Sequence, residues 1–244
     1  MMSPWFVRPA KASPYRLRLF CFPFAAGASA NYRHWPRRLP PDIEVIAVEL
    51  PGRGARIKDK PFLRMRPLIQ ALLEPILPLL DLNYAFFGHS MGALIAFELA
   101  RELRHHGAPE PVHLFVSGRQ APQIPDAHRV TYNLPDTELI AHLQELNGTP
   151  PEVLAHAELM DMMLPIIRAD FELVQTYEYT PGPPLRCPIT AFGGLSDIDA
   201  QPPHLEPWKD QTTGRFQLRM LPGDHFFVRS SEGQLLEMLS RDLR

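Results

Sequence analysis

The sequence predicts an α/β fold in which a mostly parallel central sheet is flanked by helices. Short apolar runs of strand length alternate with helix-like stretches along most of the chain, and such alternation favours a parallel sheet covered on both faces. The chain has 244 residues, of which 45% are hydrophobic, enough for one large domain with a substantial core. We therefore expect residues 1–244 to form a single domain.

The predicted strands are apolar runs of the kind that is buried on both faces of a sheet. In chain order they are Leu17–Phe22, Glu44–Leu50, Tyr84–Gly88, His113–Gly118, Pro188–Gly193 and Phe216–Leu221. Helical spacing is found in Pro67–Leu80, Met91–Leu103 and Leu235–Leu243. Because Met91–Leu103 is apolar nearly all round, we expect that helix to be buried.

Residues 119–184 break the alternation, because this segment contains no convincing strand and instead predicts about three helices. The second would begin at Thr149–Glu152, where a capping threonine precedes proline and glutamate. The apolar faces of the first and third are Leu139, Ile140, Leu143 and Leu146, and Ile167, Phe171 and Val174. A helical insertion between core strands is a candidate lid; the alternative is an elaboration that only packs.

Charge and cysteine content exclude several classes of protein. A net charge of -2 and a pI near 6.6 do not indicate binding to nucleic acid or to an anionic membrane, and no apolar run is long enough for a membrane span. The basic and apolar stretch after Arg16 resembles a signal peptide, but Pro23 interrupts it. Cys21 and Cys187 lie in or beside predicted strands, so we expect small core residues in a reducing cytoplasm.

The segment GHSMG, Gly88 to Gly92, places a serine between a predicted strand and a predicted helix. In this context G-x-S-x-G forms a tight turn whose strain exposes the serine hydroxyl, while the glycines let strand and helix approach. We therefore expect Ser90 to be a nucleophile. The amide of Met91, in the first turn of the helix, would point toward a developing oxyanion.

A serine nucleophile needs a base, which in this arrangement lies on the loop after the last strand. His225 follows the last predicted strand and a Pro-Gly break. His89 adjoins the serine, but we expect its side chain to point elsewhere. Polar or helical surroundings make the following histidines poor candidates: His105, His106, His128, His142, His156 and His204.

The acid that orients the histidine should follow the preceding strand, where the sequence offers Asp197 and, less favourably, Asp199. Asp224, beside His225, is badly placed to reach its Nδ1 and is interpreted as a turn carboxylate. The order serine, aspartate, histidine is that of the α/β-hydrolases. A second oxyanion amide should come from the loop FPFAAGAS, at Ala25 or its neighbour Ala26, unless this is merely a tight loop.

Nearly end to end, the chain resembles the type II thioesterases, the stand-alone editing hydrolases of polyketide and nonribosomal peptide synthesis. The motifs that carry the resemblance are FCFPFAAGASANYRHW, VELPGRGAR, FFGHSMGALIAFELA, IRADFELVQTYEY, ITAFGGLSD and LPGDHFF. The resemblance implies a triad of Ser90, Asp197 and His225. It also implies an oxyanion hole made by the backbone amides of Ala25 and Met91. Where the family usually has two glycines, this chain has Ala26 and Gly27.

The resemblance further implies a helical lid over an acyl chamber and, as substrates, acyl groups on the phosphopantetheine arm of an acyl- or peptidyl-carrier protein. No metal or cofactor is required, and we expect a monomer. Alternatives are a carboxylesterase or lipase on small oxygen esters, or a medium-chain thioesterase of fatty acid synthesis. Arginines that could help to dock an acidic carrier are Arg33, Arg37, Arg38, Arg53 and Arg56. Arg53 is interpreted as either structural or entrance-lining.

Overall fold

The computed structural model describes residues 3–8, 14–125, 130–145 and 156–244. Its strands are β1 Phe6–Val7, β2 Leu17–Phe22, β3 Ile43–Val48, β4 Asn83–His89, β5 His113–Ser117, β6 Ile189–Gly194 and β7 Phe216–Leu221. They form a seven-stranded sheet in the order β1-β3-β2-β4-β5-β6-β7. Only β1 is antiparallel to its neighbour among these strands. The predicted α/β fold with a mostly parallel sheet is confirmed.

Helices cover both faces of the sheet. They are α1 Met65–Ile76, α2 Met91–His105, α3 Asp136–Glu145, α4 Ala157–Gln175, α5 Pro202–Leu205, α6 Phe227–Ser230 and α7 Glu232–Asp242. The stretch predicted as one helix to Leu80 leaves α-helical geometry after Ile76 and continues as a 3-10 turn, Leu77–Leu79. Pro78 explains this change, because it has no N–H to donate to the carbonyl one α-helical turn earlier.

The core consists of one apolar layer on each face of the sheet. Phe86 belongs to the layer that contains α1 and α2, whereas the next residue, Phe87, belongs to the layer that contains α7. This alternation follows from the two-residue period of a strand. Helix α2 is buried along most of its length, as predicted.

A third apolar cluster lies within the segment 119–184, where α3 and α4 pack together. It consists of Leu139, Leu143, Met160, Leu164 and Ile167. These two helices correspond to the first and third predicted helices. The predicted second helix, at Thr149–Glu152, and the apolar Leu146 lie outside the described residues. Ala26, in the loop after β2, packs against this cluster, so the inserted helices contact the carboxyl end of the sheet.

The two cysteines are unpaired and buried. Burial raises the pKa of the Cys21 thiol well above its ordinary value and that of Cys187 to about 12, so neither is a ready nucleophile. In the part of the chain that the structure describes, no helix is long and apolar enough to cross a membrane. Within those same residues, no group of His, Cys, Asp and Glu side chains could hold a metal ion.

Candidate active site

Ser90 stands at the junction of β4 and α2 with φ 52° and ψ -115°. A positive φ is uncommon for a residue other than glycine and is maintained only where surrounding contacts enforce it. One such contact is the hydrogen bond of 2.7 Å from the Ser90 N–H to the Ser117 carbonyl at the end of β5. The predicted strained turn between strand and helix is confirmed.

Close backbone approaches explain the two glycines of the motif. A Cβ on Gly88 would lie 2.0 Å from the Gly92 carbonyl oxygen. A Cβ on Gly92 would lie 2.3 Å from the carbonyl oxygen of Phe22, the last residue of β2. Since no side chain fits at such distances, glycine at both positions lets the first turn of α2 approach the ends of β4 and β2. The amide of Met91 is thereby held beside the loop that follows β2.

Asp197, after β6, and His225, after β7, are brought together, with 2.8 Å between Asp197 Oδ2 and His225 Nδ1. The amides of Asp199 and Ala200 donate to the other carboxylate oxygen. Burial alone would raise the pKa of Asp197, but the hydrogen bond and charge of His225, with these two amides, hold it below its ordinary value. The ionised carboxylate can only accept, so Nδ1 of neutral His225 carries the proton and Nε2 offers a basic lone pair.

The alternatives to Asp197 have other contacts. Asp199 contributes its backbone amide to the Asp197 carboxylate, at 3.0 Å. Asp224 accepts the Phe226 N–H at 2.8 Å, which is the turn geometry predicted for it. The carboxylate oxygen that lies within hydrogen-bond distance of His225 Nδ1 is Oδ2 of Asp197.

Contact between the histidine loop and the serine turn runs through His89. The rings of His89 and His225 have centroids 5.1 Å apart, so the loop after β7 lies against the residue preceding Ser90. Within the described ranges, the hydrogen bonds of Ser90 are made by its backbone, and none joins its hydroxyl to His225. Hydroxyl–imidazole contacts in hydrolases commonly tighten only when substrate binds.

His89 itself is fully buried, and its contact with His225 was not predicted. Its Nδ1 lies 2.9 Å from the Ser117 hydroxyl oxygen, while its Nε2 has no hydrogen-bond partner among the described residues. Burial, followed by the nearby His225, lowers the pKa of His89 well below its ordinary value. His89 is therefore a neutral packing partner of His225 at physiological pH.

The loop after β2 forms a tight turn from Phe24 to Gly27. The Gly27 N–H donates to the Phe24 carbonyl at 2.8 Å, and Ala26 has φ 59°. The Ala26 N–H donates to Asp170 Oδ2 at 2.7 Å, so this amide is already committed to a carboxylate. Of the two predicted donors, Ala25 is the one whose amide is not engaged by Asp170.

Two arginines of the predicted docking group are not available to a partner. Arg53 is 5% exposed and forms a two-pronged ion pair with Asp170, so the prediction that it helps docking is wrong. Arg56 stacks over Trp5, at 4.0 Å from the ring centroid, and pairs with Asp59. The exposed members of the group are Arg33, Arg37 and Arg38, the last of which pairs with Glu232.

Comparison with known proteins identifies the family. The family model described as Thioesterase domain matches residues 17–243. The gramicidin S biosynthesis protein GrsT of Aneurinibacillus migulanus is 44% identical over 243 residues, which cover 100% of this chain and 95% of that protein. RedJ, a thioesterase from the prodiginine biosynthetic pathway in Streptomyces coelicolor, matches with a TM-score of 0.89 at 41% identity, covering 96% of this chain and 90% of its own.

A further solved structure gives the subclass. The type II thioesterase BorB from the borrelidin biosynthetic cluster matches with a TM-score of 0.92 at 36% sequence identity, covering 100% of this chain and 99% of its own. These likenesses agree with the fold described above. The chain therefore belongs to the thioesterase family, as a type II thioesterase with the α/β-hydrolase fold.

Proposed function

We propose that this enzyme hydrolyses acyl thioesters on the phosphopantetheine arm of carrier proteins, and so edits or releases acyl chains in polyketide or nonribosomal peptide synthesis. The observation that carries the proposal is the 2.8 Å contact between His225 Nδ1 and Asp197 Oδ2, packed against the strained turn at Ser90. The names of GrsT and RedJ, which refer to gramicidin S and prodiginine biosynthesis, support the class of pathway.

In the first half-reaction, the Ser90 hydroxyl attacks the thioester carbonyl while His225 Nε2 takes the hydroxyl proton. Asp197 stabilises the resulting imidazolium and keeps its ring oriented. The amides of Ala25 and Met91 donate to the oxyanion, and one such donor typically contributes about 3 kcal/mol. The tetrahedral intermediate then expels a thiolate, whose conjugate thiol has an ordinary pKa of about 8.5, so departure needs little acid catalysis. The thiolate takes the proton from His225 and leaves as the thiol, which returns the imidazole to its neutral form before water attacks.

In the second half-reaction, water loses a proton to His225 and attacks the acyl-serine. The same two amides stabilise the second oxyanion, and His225 returns the proton to Ser90 as the acid leaves. These steps need neither a metal nor a bound cofactor, since the pantetheine arm is part of the substrate.

The segment 119–184 is proposed to act as a lid within a single domain. The packing of Ala26 against the cluster formed by α3 and α4 supports this role, because it sets the insertion beside the loop that supplies the Ala25 amide. We also propose a monomer in a reducing cytoplasm. Two buried, unpaired cysteines are compatible with that compartment.

The test is hydrolysis of acyl groups, from acetyl to long chain, loaded on a carrier protein and followed by mass spectrometry. Wild type should release the acid, and Ser90→Ala should neither release it nor be labelled by a fluorophosphonate. A matched oxygen ester of pantetheine should react more slowly than the thioester. Faster turnover of the oxygen ester would instead identify a carboxylesterase, and full activity of Ser90→Ala would overturn the proposed nucleophile.

A further inference from the structure

One buried carboxylate joins three separate segments at the carboxyl end of the sheet. Asp170, in α4, is 2% exposed. Its oxygens accept from Arg53 Nη1 and Nη2, at 2.8 and 2.7 Å, and from the Ala26 N–H, at 2.7 Å. Arg53 Nη1 also donates to the Gly27 carbonyl at 2.9 Å. The loop after β2, the loop after β3 and the inserted helix are thus held by one ion pair.

The turn that this pair holds is an unfavourable one for its sequence. The Gly27 N–H to Phe24 carbonyl bond makes Ala25 and Ala26 the central residues of a β-turn. Ala26, at the third position, has φ 59°, whereas Ala25 is not among the residues with positive φ. This is the pattern of a type II turn, which favours glycine at the third position. Alanine there requires support from its surroundings.

Asp170 supplies that support by binding the N–H of the peptide group whose orientation distinguishes a type I turn from a type II turn. Types I and II differ by a flip of the central peptide, which here carries the Ala26 N–H. Alanine at this position prefers the type I turn, in which the central peptide is flipped. In that turn the Ala26 N–H would no longer donate to the buried carboxylate oxygen of Asp170, which would lose this donor. The carbonyl of Phe24, held by Gly27, shares its peptide plane with the Ala25 N–H. Because Asp170 holds the Ala26 N–H and Arg53 holds the Gly27 carbonyl, the two residues that follow Ala25 in the turn are both anchored, and the position of the Ala25 amide depends on that anchoring.

We propose that Arg53 and Asp170 are positioning residues, which hold the Ala25 amide in the direction needed to stabilise the oxyanion. This inference rests on the proposed function, since it assumes that Ala25 donates during thioester hydrolysis. Neither side chain touches the substrate. Both act through the turn, and half of the pair is supplied by the inserted helix.

The experiment compares Asp170→Asn with Glu44→Gln. Glu44 is a matched control, because it is also a buried carboxylate bound to arginines, Arg8 and Arg18, but lies at the amino end of the sheet. Turnover of a carrier-bound thioester is normalised to active sites counted with a fluorophosphonate, so that unfolded protein does not lower the value. We expect kcat of Asp170→Asn to fall about 30-fold with KM nearly unchanged, less than the loss of an entire oxyanion donor. Glu44→Gln should keep the wild-type kcat per site.

Two further readouts separate positioning from a purely structural role. Affinity for a trifluoromethyl ketone, which binds the serine as a tetrahedral oxyanion, should fall with kcat/KM, while affinity for a non-hydrolysable thioether should not change. Adding Ala26→Gly to Asp170→Asn should recover at least about threefold of the lost kcat, since glycine adopts the turn without steric penalty. If Asp170→Asn does not fold, the same measurements are made on Arg53→Lys. This variant keeps the positive charge but loses the paired guanidinium donors that bind the carboxylate.

The outcomes distinguish this inference from the proposed function. Wild-type kcat per site in Asp170→Asn, or an equal loss in Glu44→Gln, overturns the positioning role while leaving the thioesterase chemistry intact. A wild-type protein that releases no acid from any carrier-bound thioester contradicts the proposed function itself.

Discussion

The two ends of the sheet each bury an arginine–carboxylate cluster, and their surroundings differ. At the amino end, Glu44 of β3 binds Arg8 and Arg18, and Arg18 also donates to the Leu79 carbonyl and to Asp81. At the carboxyl end, Asp170 binds Arg53 and the Ala26 amide. The first cluster ties neighbouring strands together, whereas the second ties loops to an inserted helix.

Buried histidines show the same contrast. His113, at the amino end of β5, stacks on Phe115 and has its Nε2 2.9 Å from the Thr190 hydroxyl. At the carboxyl end of β4, the Nε2 of His89 has no hydrogen-bond partner among the described residues. The Nε of Arg53 also has no hydrogen-bond partner among those residues. Unsatisfied buried groups destabilise a fold and are tolerated mainly at functional sites. Polar burial of this kind supports stability at the amino end, and we propose that it positions the reactive groups at the carboxyl end.

The largest expected effect is at the carboxyl end. Asp197→Asn keeps the size of the side chain but loses the carboxylate that fixes the His225 tautomer, and kcat should fall about 10,000-fold. The melting temperature should stay close to that of wild type, which circular dichroism checks. A fall of less than tenfold would mean that another acid orients His225 and would weaken the comparison of the two ends.

The next effect is on stability at the amino end. Glu44→Gln leaves the buried Arg18 without its charged partner in the sheet, so the free energy of unfolding should fall by about 3 kcal/mol. Urea denaturation measures the loss, and the activity per folded molecule serves as the control. If activity per folded molecule dropped in parallel, the proposed division of roles between the two ends would be wrong.

A pH dependence of stability follows from His113. Burial, the largest influence, lowers its pKa from 6.5 to about 4. The unfolded chain therefore binds a proton at His113 over an interval in which the folded chain does not, and stability falls as the pH is lowered from 6.5 toward 4. This residue should account for about 3 kcal/mol of the fall. His113→Gln, which cannot be protonated, should show a shallower pH profile in urea denaturation, and an unchanged profile contradicts the assignment.

The smallest effect is expected at the exposed arginines, which belong to neither buried cluster. Arg37→Glu should raise KM about threefold for carrier-bound substrate and leave KM for a small acyl thioester unchanged, because rim charges act mainly on association. Raising the salt concentration should reduce the difference. Equal KM values for mutant and wild type with the carrier-bound substrate would show that the surface around Arg37 does not contribute to docking.

Much of the sheet could be predicted because its strands are long apolar runs. Strands β2 and β7 have the predicted bounds, and the other predicted strands differ by at most two residues at either end. Strand β1 was missed, since two residues, Phe6–Val7, are too few to show a pattern. Helix α7 begins three residues before the predicted Leu235, because its first turn is polar and carries no apolar signal.

The residues of the candidate site also differ in how far the sequence alone could predict them. Ser90, Asp197 and His225 lie just beyond strands, where local sequence is informative, and their catalytic roles remain predictions. Asp170 was not singled out, although a carboxylate three residues after Ile167 falls on the apolar face of a predicted helix. Its partners, Arg53 and Ala26, are more than a hundred residues away in sequence. Only the folded chain reveals such a contact, since periodicity describes neighbours along one element.

The position of Asp170 within the inserted helix has a consequence for engineering substrate range. Exchanging residues 119–184 for the corresponding segment of another thioesterase is an obvious route to a different acyl chamber. Such a chimera also exchanges the carboxylate that binds Arg53 and Ala26. Grafts that lack an acidic residue at this helical position should accept new acyl chains but turn over slowly, and restoring the aspartate, or glycine at position 26, is the first repair to make.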